Sequence, residues 1–237
     1  MPLADVTELE ANISTTRPRL IFLVGGPDFH PVNAQAPVII DWLGPGYACH
    51  TAESLAAFEH LNECDLLVLM GMHWTGWEGR YRAPSETHKR AFEKYVYSGR
   101  PILAAHGGIA SYDDWPRFAE LVGFAWDWQT SARSLITEHQ VKIRPSGHPI
   151  VQGISDFTIV DEICYDLKVT NGLEVQIHAD ADWAGRKCPM VLTGNGGRIS
   201  GAGKTAYLAN GHDMRAYESP ALRQLWINAV AWCLKDE

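Results

Sequence analysis

The most informative stretch of this sequence is Pro101-Ile-Leu-Ala-Ala-His106-Gly107-Gly108-Ile-Ala-Ser111, an apolar run that ends in a histidine and two glycines. Paired glycines admit backbone angles that a side chain forbids. They predict a sharp turn from strand into helix that lifts residue 106 to the carboxyl edge of a sheet. Open α/β sheets do their chemistry at that edge. A cysteine or serine at this turn would be a nucleophile. Imidazole cannot form that acyl-enzyme, but it can ligate a metal, move a proton or hydrogen-bond a substrate.

Three further apolar runs end in the same manner, at Asp28-Phe29-His30, His73-Trp74 and Gly211-His212-Asp213. In a doubly wound sheet the loops that follow parallel strands converge, so these residues are expected to share one pocket. Any one of these histidines alone reads equally well as a hydrogen-bonded turn residue. Their convergence is what argues for a site. His148, in Ser-Gly-His-Pro-Ile, reads as a turn residue. Asp161-Glu162 places two carboxylates in an otherwise apolar stretch, where burial requires partners. Backbone amides or a basic residue such as Arg198 would serve as partners, as would a functional site.

The elements that must position these groups follow from the apolar periodicity. Residues 20–24, 47–50, 64–70 and 101–105 read as parallel strands. Helices are expected over 33–43, 53–61, 85–97 and 112–122. The third of these helices starts at Ser85, where His88 stands in place of the usual acid of a capping box. The second half shows shorter alternating runs at 140–144, 157–169 and 189–193, then a last strand at 204–209 and a closing amphipathic helix over 221–234. The pattern defines a three-layer α/β/α sandwich, flavodoxin-like in outline, with a mainly parallel sheet and added antiparallel strands. Residues 1–18 read as a polar lead-in and 19–237 as a single domain.

The net charge of −8, with 20 Lys and Arg scattered along 237 residues, argues against a nucleic-acid partner. The acidic N-terminus carries neither a secretory signal nor a membrane span, so a cytoplasmic protein without a membrane partner is expected. Five widely spaced cysteines with no CxxC pair disfavour disulfides and thiolate zinc sites. Gly201-Ala-Gly-Lys-Thr205 resembles the end of a P-loop, but Arg198 stands where its first glycine belongs and a strand follows. With no GxGxxG behind the first strand either, no nucleotide cofactor is expected. Nine tryptophans, several in the strand-end loops, suit the wall of a sugar site, or an interface between copies of the chain in a homo-oligomer.

In their order these features resemble the trehalose-utilisation (ThuA-like) family, within the class I glutamine amidotransferase-like superfamily. The resemblance rests on the stretch from Leu23 to His30, the His106-Gly-Gly turn with Tyr112-Asp-Asp-Trp115, Phe118 to Gly123, His148 to Gly153, Phe157 to Glu162, and Gly211-His212-Asp213 with the closing helix. It implies an amidotransferase elbow without its cysteine, hence no glutamine hydrolysis through a thioester. It also implies carbohydrate catabolism, with a lyase or hydrolase acting on 3-keto-glycosides such as 3-keto-trehalose. On that reading His30, His106 and His212 are ligands of a divalent metal, zinc or manganese, or substrate donors. His106, Glu162 and Asp213 are then the catalytic groups, and Asp28, His73 and Trp74 contact the substrate. Two alternatives stand beside it: a non-catalytic sugar-binding or regulatory domain, and a hydrolase using Cys164.

Overall fold

Short runs of buried Leu, Ile, Val and Phe form the parallel half of the sheet, because strands covered by helices on both faces have no solvent-facing side to keep polar. The computed structural model describes residues 17–53, 55–195 and 199–235, so the expected lead-in lies almost wholly outside the described residues. In chain order the elements are β1 (Arg19–Val24), α1 (Val32–Leu43), β2 (Ala48–Glu53), α2 (Ala56–Glu59), β3 (Leu66–Leu69), α3 (Glu86–Tyr97), β4 (Ile102–Ala105) and α4 (Pro116–Val122). They continue with β5 (Phe124–Ala125), β6 (Ala132–Arg133), β7 (Thr137–Ile143), β8 (Phe157–Asp161), β9 (Cys164–Tyr165), β10 (Lys168–Val169), β11 (Glu174–Trp183), β12 (Arg186–Asn195), β13 (Thr205–Leu208) and α5 (Pro220–Leu234).

Nine strands make one sheet in the order β2-β1-β3-β4-β13-β12-β11-β7-β8. The first five run parallel and the remaining pairings are antiparallel. Helix α1 packs against α5, and α2 against α3, which supplies the two helical layers. This is the mixed α/β architecture expected from the alternation. Ser85 and His88 close a complete capping box, the histidine ring accepting from the Ser85 amide as an acid would. Among the described residues no helix is long and apolar enough to cross a membrane.

The structure departs from expectation mainly in the second half. The single strand expected over 157–169 is broken into β8, β9 and β10, the first break following Asp161, whose carboxylate accepts hydrogen bonds from the loop after β13. Strand β11, ten residues long, is not among the expected elements. It joins β12 through Ala184 and Gly185, both at positive φ, the backbone of a type I′ hairpin turn without the usual Asn-Gly.

His178 is the extra residue of a bulge in β11, where the register with β12 shifts. Its ring is buried, bonds Thr193 Oγ1 at 2.7 Å and stacks on His148. Burial, then repulsion from His148 and Arg144, lowers its pKa from 6.5 to about 4. The unfolded chain therefore takes up a proton that the native state refuses. This contribution to stability is complete above pH 6.5 and is lost as the pH falls toward 4. Equilibrium urea unfolding across that window is expected to show a loss on the order of 2 kcal/mol that His178→Gln removes.

Candidate functional site

The loops after β1, β4 and β13 bring three imidazoles to one place, and the chain leaving β8 adds a carboxylate. His106 stands directly after β4 and opens a 3-10 turn through Ala110. The left-handed backbone expected of the glycines falls on His106 itself, at φ 42°, while neither Gly107 nor Gly108 has a positive φ. The glycines are needed for space. A Cβ on Gly108 would lie 2.2 Å from the Leu69 carbonyl oxygen, and one on Gly107 would lie 2.7 Å from Cε1 of His30. A non-glycine residue held in this region stores strain on the order of 1 kcal/mol, a device common at functional turns.

Asp161 builds the adjoining wall. Its carboxylate accepts from the Gly211 amide at 2.7 Å, the His212 amide at 3.1 Å and Asn210 Nδ2 at 3.0 Å. It is buried and fixes the loop that carries His212. Gln35 on α1 donates to the carbonyls of Gly211 and His212 from the other side. Of the adjacent carboxylates, Asp161 thus holds backbone amides and Glu162 faces the imidazoles. The sequence alone left both roles open for each.

His106 Nε2 lies 3.2 Å from His30 Nε2, 3.3 Å from His212 Nδ1 and 3.2 Å from Glu162 Oε1. His30 Nε2 lies 3.1 Å from His212 Nδ1, which is 3.4 Å from Glu162 Oε1. All four groups are buried, and their ligand atoms lie within 4.8 Å of one another. His106 Nδ1 stands 2.8 Å from the Ala209 carbonyl, which can only accept. That bond places the proton of neutral His106 on Nδ1 and directs the Nε2 lone pair into the group.

Neutral nitrogens facing one another at such distances repel unless a proton or a cation lies between them. Burial, then repulsion from His106 and His212, lowers the His30 pKa to about 2. Burial also disfavours a charge on His106, but the hydrogen bond to Glu162 and the nearby carboxylates outweigh it and raise its pKa. For Glu162 burial opposes ionisation, and the hydrogen bonds from His106 and His212 prevail, holding it well below the ordinary carboxylate range. Ligands about 2.1 Å from a tetrahedral ion are about 3.4 Å apart. The three imidazole nitrogens lie 3.1–3.3 Å apart and fit three positions of a divalent transition metal in spacing as well as in donor type, while Glu162 Oε1, 3.2–3.4 Å from His106 and His212, stands beside the remaining position.

Next to this group is a cavity of about 220 Å³, lined by Phe29, Met72, Trp74, Ile109, Trp126, Trp128, Arg133 and Cys164 along with the three histidines and Glu162. Trp74 therefore stands where the sequence places a substrate contact. His73 does not line it: its ring bonds the Val24 carbonyl at 2.8 Å and stacks on Tyr112, in a packing role. Asp28 is exposed and outside the wall, whereas its neighbour Phe29 is in it. Asp213 is paired with Arg215, which lowers its pKa, and belongs neither to the four-group cluster nor to the cavity wall. Arg198 lies outside the described residues. Arg133 supplies a cation for Glu162 instead, with Nη1 2.9 Å from Oε2. No motif marks Arg133 in the sequence. Cys164 is buried 3.8 Å from Glu162, and burial with the neighbouring carboxylates keeps its thiol protonated, which opposes a nucleophilic role.

An α/β sheet with a tight turn after a central strand, and histidine at its tip, places the molecule among amidotransferase-like folds. A glutamine amidotransferase of Thermotoga maritima superposes with a TM-score of 0.50 at 10% identity, over 93% of this chain and 99% of that one. Two ThuA-like proteins are more similar. One from Parabacteroides merdae gives a TM-score of 0.71 at 16% identity, over 92% of this chain and 90% of the other. One from Bacteroides uniformis gives 0.69 at 15% identity, over 93% of each. The model of the trehalose-utilisation family, ThuA, matches residues 44–233, and the chain belongs to that family. No curated protein matches it.

Proposed function

We propose that the protein is a metal-dependent enzyme of carbohydrate metabolism that cleaves 3-keto-glycosides, such as 3-keto-trehalose, by eliminating the anomeric substituent. The observation that carries this reading is the meeting of three imidazole nitrogens at mutual distances suited to a cation, with Glu162 Oε1 beside them, at the inner end of a cavity walled by aromatic rings. His30, His106 and His212 would hold the ion. When bound, a zinc or manganese ion would supply Lewis-acid polarisation of the C3 ketone, which acidifies the neighbouring C2 proton.

Glu162 carries the cavity's carboxylate, and its Oε1 accepts the C2 proton. Arg133 on Oε2 keeps that carboxylate ionised and turned inward. The C2–H electron pair passes into the enolate. It then forms the C1–C2 double bond as the ketone is restored and the C1–O bond breaks, and the departing oxygen takes the proton back from Glu162. The products are a 1,2-unsaturated 3-keto sugar and a free alcohol, which for 3-keto-trehalose is glucose.

Incubation with 3-keto-trehalose, with glucose release as the readout, tests this. Turnover is expected to disappear on chelation and to return with Zn²⁺ or Mn²⁺. Turnover indifferent to chelation, or no turnover of any 3-keto-glycoside by the metal-loaded protein, would contradict it.

A further inference from the structure

The outer end of the cavity differs in chemistry from the inner end. The cavity's buried polar groups are the three histidines and Glu162, Arg133 is exposed at its rim, and its large apolar side chains are Phe29, Met72, Trp74, Ile109, Trp126 and Trp128. The Trp74 and Trp128 rings are nearly parallel, 16° apart with centroids at 6.1 Å, and Phe29 meets Trp74 edge-on at 6.4 Å. Phe29 is 54% exposed and Trp128 47%, so two large aromatic side chains stand open to solvent at the mouth. Apolar residues exposed singly on a surface need no explanation, but a contiguous aromatic cluster at a cavity mouth marks a binding surface.

The volume divides the ligand. At about 220 Å³ the enclosed space is smaller than the roughly 300–1,000 Å³ of sites that bury a whole drug-sized molecule, so it suits one ring, and the remainder of a larger ligand lies against the mouth. A pyranose in the inner end finds hydrogen-bond partners for its hydroxyls. A second pyranose against the tryptophans and Phe29 would offer them only a C–H face and leave its hydroxyls to water and Arg133. A flat aromatic ring matches these faces over its whole area and so removes more apolar surface from water.

We propose that the mouth formed by Phe29, Trp74 and Trp128 is a subsite for an aromatic aglycone, so that aryl glycosides bind more tightly than disaccharides. This rests on the reading above only in placing the sugar ring beside the histidines. The test uses unreactive glucosides that lack the ketone, so binding is measured whether or not the protein turns over any keto-glycoside. Calorimetric titration of the metal-loaded protein is expected to give p-nitrophenyl glucoside an affinity about tenfold above that of methyl glucoside and of trehalose. Trp128→Ala and, separately, Phe29→Ala are expected to bring that ratio toward one. Both positions are at the surface, and circular dichroism verifies that the variants fold. Equal affinities, tighter binding of trehalose, no measurable binding of any of the three, or an aryl preference that survives both substitutions would overturn the proposal. Failure of 3-keto-glycoside turnover would overturn the catalytic reading alone.

Discussion

Replacing His106 with alanine is expected to weaken divalent-cation binding by more than the roughly 100-fold that loss of a supporting residue costs a metal site, and to reduce turnover at least as far. The imidazole is central to the group, since its Nε2 lies within 3.3 Å of ligand atoms on His30, His212 and Glu162. Removing it leaves two imidazole donors, His30 and His212, 3.1 Å apart, with Glu162 still held by Arg133 at 2.9 Å. Alanine must still adopt the positive φ of residue 106, so the backbone requirement is unchanged and the fold is expected to survive. Calorimetric cation titration and thermal unfolding on the same variant separate the two effects. Unchanged affinity in a folded variant would contradict the assignment.

Gly108→Ala is expected to act on the fold. The added methyl would lie 2.2 Å from the Leu69 carbonyl oxygen, in a central strand whose backbone cannot retreat without breaking its ladders with β1 and β4. Overpacking of this kind costs about 3 kcal/mol or more. For a chain of this size that lowers Tm by roughly 6–12 °C. Gly107→Ala provides the contrast, because its methyl meets the His30 ring and not backbone. It is expected to reduce cation affinity with a smaller change in Tm. Similar thermal shifts for the two variants would mean that the glycines do not divide space between strand and ligand in this way.

What could be read from the sequence followed from how local the determinants were. The parallel half was legible because β1, β3 and β4 are short apolar runs closed by glycine or histidine, and the strand-end histidines His30, His106 and His212 followed directly from that alternation. The elbow was found for the right residue and the wrong reason. Sequence shows that glycines are present but does not show whether torsion or space requires them. Strand β11 was missed because Glu174-Val-Gln-Ile-His-Ala-Asp-Ala-Asp-Trp183 is rich in polar residues and its turn is Ala-Gly. Arg133 and the separate tasks of Asp161 and Glu162 depend on contacts across 29 to 51 residues of chain, which no local pattern encodes. The family model begins at residue 44, so His30 lies outside the matched residues and was placed by the strand pattern together with the resemblance of the stretch from Leu23 to His30.

The most direct measurement is cation stoichiometry. Protein stripped with a chelator, dialysed, and titrated calorimetrically with Zn²⁺ or Mn²⁺ is expected to bind one equivalent per chain, and the His30→Ala, His106→Ala, His212→Ala triple variant none. An absence of saturable binding by the wild type, or the same single equivalent in the folded triple variant, would contradict a metal centre built on these three histidines.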